Sequence, residues 1–270
     1  MEVDKVGLNE FKKVINPIVT YLGKKKETNK FSDMPIMICG CGRSGTTLLL
    51  SIIGAHPNIY AFPKETGVFI NWYDEVQYFF KNDKGNASQV PRLDKFYRLL
   101  LKYDIPNQVT RWCEKTPKNI RYLDKILNYF EEEIKIIHII RDGRDVMLSK
   151  HPNAPDKYWV SPERWINDVK KGLEYKEHSQ MLTLKYENLV TDYEETIEKI
   201  CDFINEDCTE ELYSYFKHTN VQKTNAWYDK AQKIHSNSIE KWKKEENQAR
   251  VEEVMENKEV VELLKELDYL

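Results

Sequence analysis

The sequence predicts a three-layer α/β fold in which a central parallel sheet of about five strands is flanked by helices. Short apolar runs rich in β-branched residues alternate with segments whose apolar residues recur at helical spacing, and this alternation is typical of a parallel sheet with crossover helices. A chain of 270 residues with 41% hydrophobic content is long enough to bury a complete core within one domain.

Five short apolar runs are the expected strands, each bounded by charged or turn-forming residues. Runs of this kind are typical of strands buried on both faces of a parallel sheet. The run at 134–140 shows the pattern most clearly, and we therefore expect it at the centre of the sheet. The predicted strands are 34–40, 58–62, 108–113, 134–140 and 181–186.

Helical patterns lie between and after these runs. Segment 46–56 is almost wholly apolar, and a helix that is apolar on all sides is expected to be buried. Thr116 is expected to cap a helix that begins at Pro117, because a hydroxyl suits the N-cap and proline suits the first helical position. Further amphipathic helices are expected over 193–204 and within 242–270.

The N-terminal segment 1–33 is expected to form a helical arm outside a main domain at 34–270. Its apolar residues, from Leu8 through Ile18 to Leu22, recur near helical spacing. This stripe is compatible with membrane contact, but we favour a helix packed on its own domain. No apolar run here is long enough for a signal sequence or a membrane span, so we expect a soluble, cytoplasmic protein.

Composition and charge limit the partners that the chain can bind. The formal net charge of −3 repels polyanions, so a nucleic-acid partner is not expected. Five cysteines without paired CxxC spacing are typical of reduced thiols in the cytosol rather than of a disulfide framework or a zinc site. The oligomeric state stays open.

The segment Gly40–Thr47, GCGRSGTT, has the composition of a phosphate-binding loop and is called the phosphate loop below. It follows the first predicted strand and opens the buried helix, so its amides and the helix dipole would face an anion. A Walker A loop has a lysine where this chain has Thr46, and Arg43 lies within the loop. The sequence therefore disfavours ATP hydrolysis, and a tight turn without a ligand is the alternative.

A second anion site is expected at the end of the strand at 134–140. A magnesium-dependent NTPase would place an acid there, but Arg141 follows this strand. Ser149 lies eight residues further along, a little over two helical turns, and could contact the same anion from the following helix. Arg144 is interpreted instead as a member of an exposed ion pair with a neighbouring aspartate.

Together these motifs resemble those of the sulfotransferases that use 3′-phosphoadenosine 5′-phosphosulfate (PAPS). CGRSGTTLLLSIIGAHP is similar to the family's 5′-phosphosulfate loop and IIHIIRDGRDVMLS to its 3′-phosphate site. LTLKYENLV and SNSIEKWKKE (236–245, the late loop) resemble two further family segments, the second closing over the nucleotide. The resemblance covers residues 35–270. It implies the sheet fold that P-loop kinases also have, PAPS as the donor, adenosine 3′,5′-bisphosphate (PAP) as the product, and no metal.

The resemblance also implies which residues hold the nucleotide. Arg141 and Ser149 correspond to residues that bind the 3′-phosphate, and Tyr186 corresponds to a tyrosine that contacts the adenine. The residues implied for the 5′-phosphosulfate are Arg43, Ser44, Gly45, Thr46 and Thr47, and the candidates in or near the late loop are Ser236, Ser238, Lys241, Lys243 and Lys233.

Sulfuryl transfer needs a base, a cation near the leaving phosphate and exclusion of water. The small-molecule branch of the resembled family uses a histidine after the third strand, and the segment WCEKTP lacks one. The glycan-directed and tyrosine-directed branches use a glutamate after the second strand, where this chain has Glu65. The resemblance therefore implies Glu65 as base, with Arg43 and Lys115 supporting the transferring group. Glu114 and then His151 are the reserve candidates if Glu65 is not the base.

The acceptor is expected to carry a hydroxyl, in a glycan, a lipid, a small alcohol or phenol, or a tyrosine. Glu65 follows the second predicted strand and Arg43 the first, and a right-handed crossover is expected to make these strands neighbours. Both loops should then face one pocket, with the carboxylate partly buried. The aromatic-rich segments 66–107 and 150–180 are expected to wall the acceptor cleft, although ordinary core packing would equally account for them.

Two other functions stay open, since a fold does not determine a function. One is a nucleotide-dependent kinase, against which Thr46 and Arg141 argue. The other is a non-catalytic nucleotide-binding protein, which would tolerate replacement of Glu65 and Lys115.

Overall fold

The computed structural model describes residues 3–74, 89–151, 154–221 and 231–270. The strands within these ranges are β1 Ile36–Cys39, β2 Ile59–Ala61, β3 Trp72–Asp74, β4 Gln89–Pro91, β5 Arg111–Lys115, β6 Lys135–Ile140, β7 Lys150–His151, β8 Ala154–Tyr158 and β9 Met181–Lys185. Five of them form a parallel sheet in the order β2-β5-β1-β6-β9, and β3–β4 and β7–β8 form two antiparallel ribbons. The prediction of a five-stranded parallel α/β sheet is confirmed.

The helices flank this sheet. In chain order they are α1 Val3–Lys30, α2 Thr46–Ile53, α3 Leu93–Lys102, α4 Leu123–Tyr129, α5 Gly143–Met147, α6 Pro162–Leu173, α7 Tyr186–Thr191, α8 Tyr193–Ile204, α9 Glu210–Tyr213, α10 Tyr215–His218, α11 Gln248–Met255 and α12 Lys258–Glu266. Short 3₁₀ turns lie at Pro117–Tyr122, Ser236–Ser238, Lys241–Lys243 and Glu245–Asn247.

The sheet separates two apolar cores, because successive side chains of a strand point to opposite faces. Ile36 and Ile38 of β1 pack with residues of α2 and α8 on one face. Met37 and Cys39 pack with residues of α3 and α4 on the other face, among aromatic side chains. A third cluster around Trp165 joins α5, α6 and α12 beyond the end of β6. The three-layer prediction is therefore confirmed.

The order of the strands differs from the expectation in two respects. β1, not β6, is the middle strand, and β6 lies between β1 and β9. A continuous apolar run indicates burial on both faces, which β1 and β6 share, and it does not determine position in the sheet. β5 separates β2 from β1, so the expectation that the loops after β1 and β2 leave neighbouring strands was wrong.

The segment after β5 begins as a 3₁₀ turn with Pro117 in its first turn, and the α-helix starts only at Leu123. Thr116 does not cap it through its side chain, since its hydroxyl donates to Glu114 instead. The expected helix therefore exists in two parts, and the predicted cap was wrong because a buried carboxylate takes the hydroxyl.

Helix α1 packs against α3. Gly23 lies against Tyr97 so closely that an added Cβ would lie 2.1 Å from the Tyr97 Cβ, and the Tyr97 hydroxyl donates to Glu27 at 3.0 Å. Ile18 and Leu22 of the apolar stripe do not make this contact, because both are exposed. Among the described helices, none is both long and apolar enough to cross a bilayer.

Candidate active site

The phosphate loop connects β1 to α2, and two of its glycines are required by its shape. Gly40 and Gly45 have φ angles of 145° and 95°, in the region that favours glycine. A Cβ on Gly45 would lie 2.4 Å from the Tyr186 ring, and one on Gly40 would lie 2.5 Å from the Ile139 carbonyl oxygen. The backbone of the loop is thus held tightly against β6 and α7.

The side chains of the phosphate loop differ in exposure. Ser44, Thr46 and Thr47 are buried, whereas Arg43 is exposed. The Ser44 hydroxyl has no hydrogen-bond partner among the described residues. Gly45 is the N-cap of α2 and supplies no side-chain cap, so the first amides of that helix remain available. The loop therefore offers one hydroxyl, several amides and an arginine to an anion.

Arg141 follows β6 and joins three of the segments singled out in the sequence. Its Nη1 donates to the Arg43 carbonyl oxygen at 3.2 Å, and its Nη2 donates to the Ser238 carbonyl of the late loop and lies 3.4 Å from the Asp145 carboxylate. The guanidinium lies over the Tyr186 ring, 4.5 Å from its centroid. The structure thus brings the phosphate loop, Tyr186 and the late loop together around one buried cation.

The late loop is attached to the same place through its backbone. The Trp242 amide donates to Asp145 at 3.0 Å, and the Trp242 ring lies against the Arg144 guanidinium at 3.6 Å. Burial raises the pKa of Asp145, and the neighbouring Arg141 opposes that rise. These contacts hold the segment at 241–243 beside the end of β6.

Lys241 completes a group of three cations at this edge of the sheet. Burial lowers the pKa of Lys241, and the positive charges of Arg141 and Arg43 lower it further, against the opposing charge of Asp145. Cations that repel one another in a partly buried position are stabilised by a bound anion. The three side chains therefore form a candidate anion site.

Ser149 and Ser236 are two predicted nucleotide contacts, and the first occupies a position that differs from the expectation. Helix α5 ends at Met147, so Ser149 lies in the turn before β7 and not on the helix as expected. Its carbonyl oxygen accepts from the Trp159 amide at 2.8 Å, which draws the chain into the β7–β8 ribbon. Ser236 is exposed at the start of a 3₁₀ turn. Nucleotide binding by these two serines stays a prediction.

Arg144 forms the ion pair expected from the sequence, with Asp142 at 2.7 Å. Both side chains are buried, however, and not exposed. Asp142 also caps α5 by accepting the Arg144 amide at 2.9 Å, and Arg144 donates to the Tyr269 carbonyl at 2.7 Å. This arginine therefore fixes α5 to the C-terminal segment.

Glu65 and Lys115, the candidates for proton transfer and charge stabilisation, are in direct contact. The Lys115 ammonium lies 2.7 Å from the Glu65 carboxylate, and their side chains are 6% and 54% exposed. Glu65 is therefore more exposed than expected. Lys115 lies opposite Ile38 in the parallel pairing of β5 with β1, so the pair is linked to the strand that leads into the phosphate loop.

Glu114 is a site residue whose role the sequence did not reveal. It is fully buried, and its carboxylate accepts from the Thr66 amide at 3.1 Å, the Thr66 hydroxyl at 2.8 Å and Asn119 at 2.8 Å. Burial raises its pKa despite these bonds. Glu114 thereby ties the loop that carries Glu65 to the strand that carries Lys115, and no acceptor could reach it as the reserve base.

A family model described as the sulfotransferase family matches residues 35–211. The chain belongs to the sulfotransferase family. The match includes the phosphate loop, Glu65, Lys115 and Arg141 and ends before the late loop.

Curated relatives of this sulfotransferase-family chain include two that match over most of it. An uncharacterised protein of Aquifex aeolicus is 26% identical over 80% of the chain, which spans 31% of that protein. A candidate protein-tyrosine sulfotransferase of Caenorhabditis briggsae is 27% identical over 63% of the chain, which spans 65% of that protein. The chain thus spans less than two thirds of each relative.

A solved sulfotransferase domain has the same fold. The domain from the Synechococcus PCC 7002 olefin synthase superposes with a TM-score of 0.57 and 19% identity, covering 84% of this chain and 96% of that domain. At this level of identity the likeness concerns the arrangement of the sheet and its helices.

Of the aromatic residues expected to wall an acceptor cleft, two that lie in described segments have other contacts. Trp165 is fully buried and donates to the Arg141 carbonyl at 3.3 Å, and Trp159 is stacked on His151 with ring centroids 4.4 Å apart. Core packing therefore accounts for Trp165. Phe79 and Phe80 lie outside the described residues.

Proposed function

We propose that this sulfotransferase-family chain transfers a sulfuryl group from PAPS to an acceptor hydroxyl. The observation that carries the proposal is the position of Arg141, whose guanidinium contacts the phosphate loop, Tyr186 and the late loop together. An arginine at the end of an inner strand suits a phosphate ligand, because its fork of donors matches phosphate oxygens.

The residues present suit both anionic groups of PAPS. The unpartnered Ser44 hydroxyl and the uncapped amides at the start of α2 support binding of the 5′-phosphosulfate. The mutual repulsion of Arg141 and Lys241 supports binding of the 3′-phosphate, whose charge would relieve it. Arg43 adds a third positive charge from the phosphate loop.

Tyr186 would offer less of its ring to an adenine than the sequence indicated. Its ring lies between Gly45 on one side and the Arg141 guanidinium on another, and it is buried. We propose that the ring mainly holds Arg141 against the phosphate loop, and that an adenine would contact only its remaining edge.

The proposed reaction uses Glu65 as the general base. PAPS, when bound, supplies the sulfuryl group and leaves as PAP. Glu65 would accept the proton of the acceptor hydroxyl while the acceptor oxygen bonds to sulfur and the bond from sulfur to the phosphate oxygen breaks. Lys115 has three N–H donors and gives one to Glu65. The other two could stabilise the negative charge that develops on the leaving phosphate.

The choice of base supports an acceptor class. The segment after β5 carries Lys115 and no histidine, and Glu65 is accessible to an acceptor bound at the surface. We therefore propose a glycan or a tyrosine hydroxyl in preference to a small phenol or alcohol. The candidate tyrosine sulfotransferase among the relatives supports the same preference.

A non-catalytic nucleotide-binding protein is the second candidate function. The observation in its favour is that Glu65 is about half exposed and paired with a lysine, as an ordinary surface ion pair would be. Such a protein would keep the Arg141 site and have no use for the Glu65 carboxylate.

The deciding experiment incubates the chain with sulfur-labelled PAPS and a panel of glycans, lipids, phenols and tyrosine peptides. Glu65→Gln should lower turnover by about two orders of magnitude or more, since general-base catalysis contributes about 10²–10⁴-fold, while PAP affinity stays unchanged. Glu195→Gln is the matched control, because Glu195 is exposed and paired with Lys199 at 2.6 Å. Nearly full activity of Glu65→Gln would refute the base, and PAP binding without transfer to any acceptor would favour the second candidate.

A further inference from the structure

The outer face of α1 is apolar although the helix packs on the domain. Val19 packs against the aromatic core, and Gly23 and Glu27 contact Tyr97. These positions are four residues apart and therefore share one side of the helix. Over residues 19–27 the packing of α1 thus uses the side of the helix that carries Val19, Gly23 and Glu27.

Three large side chains of α1 project away from that contact. Ile18, Tyr21 and Leu22 are 55%, 68% and 47% exposed. Their spacing of three and four residues places them together on the opposite side of the helix. Among the large hydrophobic side chains exposed in the described parts of the chain, the other four are Met34, Leu101, Tyr158 and Leu270. No other helix there presents such a group.

Basic residues surround this apolar face. Helix α1 contains seven lysines and three acidic residues, a net charge of +4 in a chain with a formal net charge of −3. Lys24 and Lys25, which follow Leu22 after Gly23, are exposed. The neighbouring helix α3 adds Lys95, Arg98 and Lys102, which are also exposed.

The carboxylates of this helix pair whose side chains are described point into the protein. Glu27 accepts from Tyr97 at 3.0 Å and from Trp112 at 3.2 Å, and Asp94 is buried and paired with Arg92 at 2.8 Å. The exposed surface of α1 and α3 therefore combines apolar and positively charged side chains, which is the pattern of helices that lie on anionic membranes.

We propose that the outer face of α1 binds the surface of an anionic lipid bilayer, with Ile18, Tyr21 and Leu22 in the interface and Lys24 and Lys25 at the headgroups. Charge complementarity favours an anionic bilayer over a second copy of the chain, because self-association through this face would bring together two helices of net charge +4. The contact is peripheral, and it is independent of the function proposed above.

The test measures co-sedimentation of the full chain with vesicles of phosphatidylcholine and phosphatidylglycerol in a two-to-one ratio. Binding should require the anionic lipid and weaken in high salt. The charge reversal Lys24→Glu with Lys25→Glu should weaken binding by at least about 25-fold, since each lysine removed from the headgroups is worth roughly fivefold and the added carboxylates repel anionic lipid. Replacing Ile18, Tyr21 and Leu22 with serine should weaken it at least about tenfold.

Matched controls separate this proposal from general effects of charge or exposure. Lys258→Glu with Lys265→Glu makes the same change of charge on the exposed side of α12, and Leu270→Ser removes another exposed apolar side chain. Both should bind vesicles as the wild type does. The proposal is overturned if the wild type ignores anionic vesicles, if the α1 variants bind normally, or if sedimentation velocity shows a dimer that the serine variant abolishes.

Discussion

Replacing Arg141 with alanine tests the donor site directly, because only one of two closely related nucleotides should respond. PAP carries the 3′-phosphate that Arg141 is proposed to bind, and AMP lacks it. A hydrogen bond to a charged group contributes about 1.5–3 kcal/mol, which corresponds to roughly ten- to 150-fold in affinity. Arg141→Ala should therefore weaken PAP binding by at least about tenfold relative to its effect on AMP.

The structure indicates why the comparison needs both nucleotides. Arg141 also supports the Arg43 and Ser238 carbonyl oxygens, so its loss could loosen the phosphate loop and weaken both ligands alike. Titration calorimetry measures the two affinities, and Arg141→Lys, which keeps the charge without the planar fork, should fall between wild type and alanine. Equal binding of PAP and AMP by the wild type, or equal losses in Arg141→Ala, would refute the assignment.

Three further predictions concern positioning, stability and metal. Glu114→Gln places a second amide opposite the Asn119 amide and should lower kcat about tenfold without changing PAP affinity. Because Glu114 is expected to act by positioning the loop that carries Glu65, the same substitution should cause no further loss of kcat in a Glu65→Gln background. An equal loss in both backgrounds would contradict this role. Burial lowers the pKa of His138 to about 3 from 6.5. The neutral ring therefore makes its full contribution to the free energy of unfolding above pH 6.5, and that contribution decreases as the pH falls. Between pH 8 and pH 5 the wild type should lose about 2 kcal/mol more free energy of unfolding in urea than His138→Leu, and parallel pH profiles would contradict that. Chelation by EDTA should leave sulfuryl transfer intact, and loss of activity restored by magnesium would favour the kinase alternative.

Local pattern was sufficient for the five strands of the parallel sheet and for the phosphate loop, but not for the ribbon strands β3, β4, β7 and β8. The sequence places the glycines of that loop between an apolar strand and an apolar helix, and the structure has β1 and α2 there. Gly40 and Gly45 have the positive φ angles that a tight strand-to-helix turn requires. Such features depend on neighbouring residues alone, and so a single sequence can reveal them.

Features that depend on contacts between residues far apart in the sequence could not be predicted from local patterns. The position of β5 between β2 and β1 is a matter of topology, and helical or strand periodicity does not encode it. Ser149 leaves the helix because its carbonyl bonds to Trp159 in the β7–β8 ribbon. The late loop reaches Arg141 through the Ser238 carbonyl, and a motif made of side chains gives no sign of a backbone contact.

The contacts of Arg141 also predict a coupling between donor binding and the late loop. Its Nη2 donates to the Ser238 carbonyl and approaches Asp145, and Asp145 in turn accepts the Trp242 amide. A phosphate bound through Nη2 would compete with the Ser238 carbonyl, because both Nη2 donors are in use and each N–H makes one strong bond, whereas the buried Nε has no partner among the described residues. We therefore expect nucleotide binding to shift the late loop around Ser238 while the bond from Trp242 to Asp145 persists, since the second contact does not use the guanidinium. Lys241 lies between these two points in the sequence, so its position relative to Arg141 should change with a shift at Ser238.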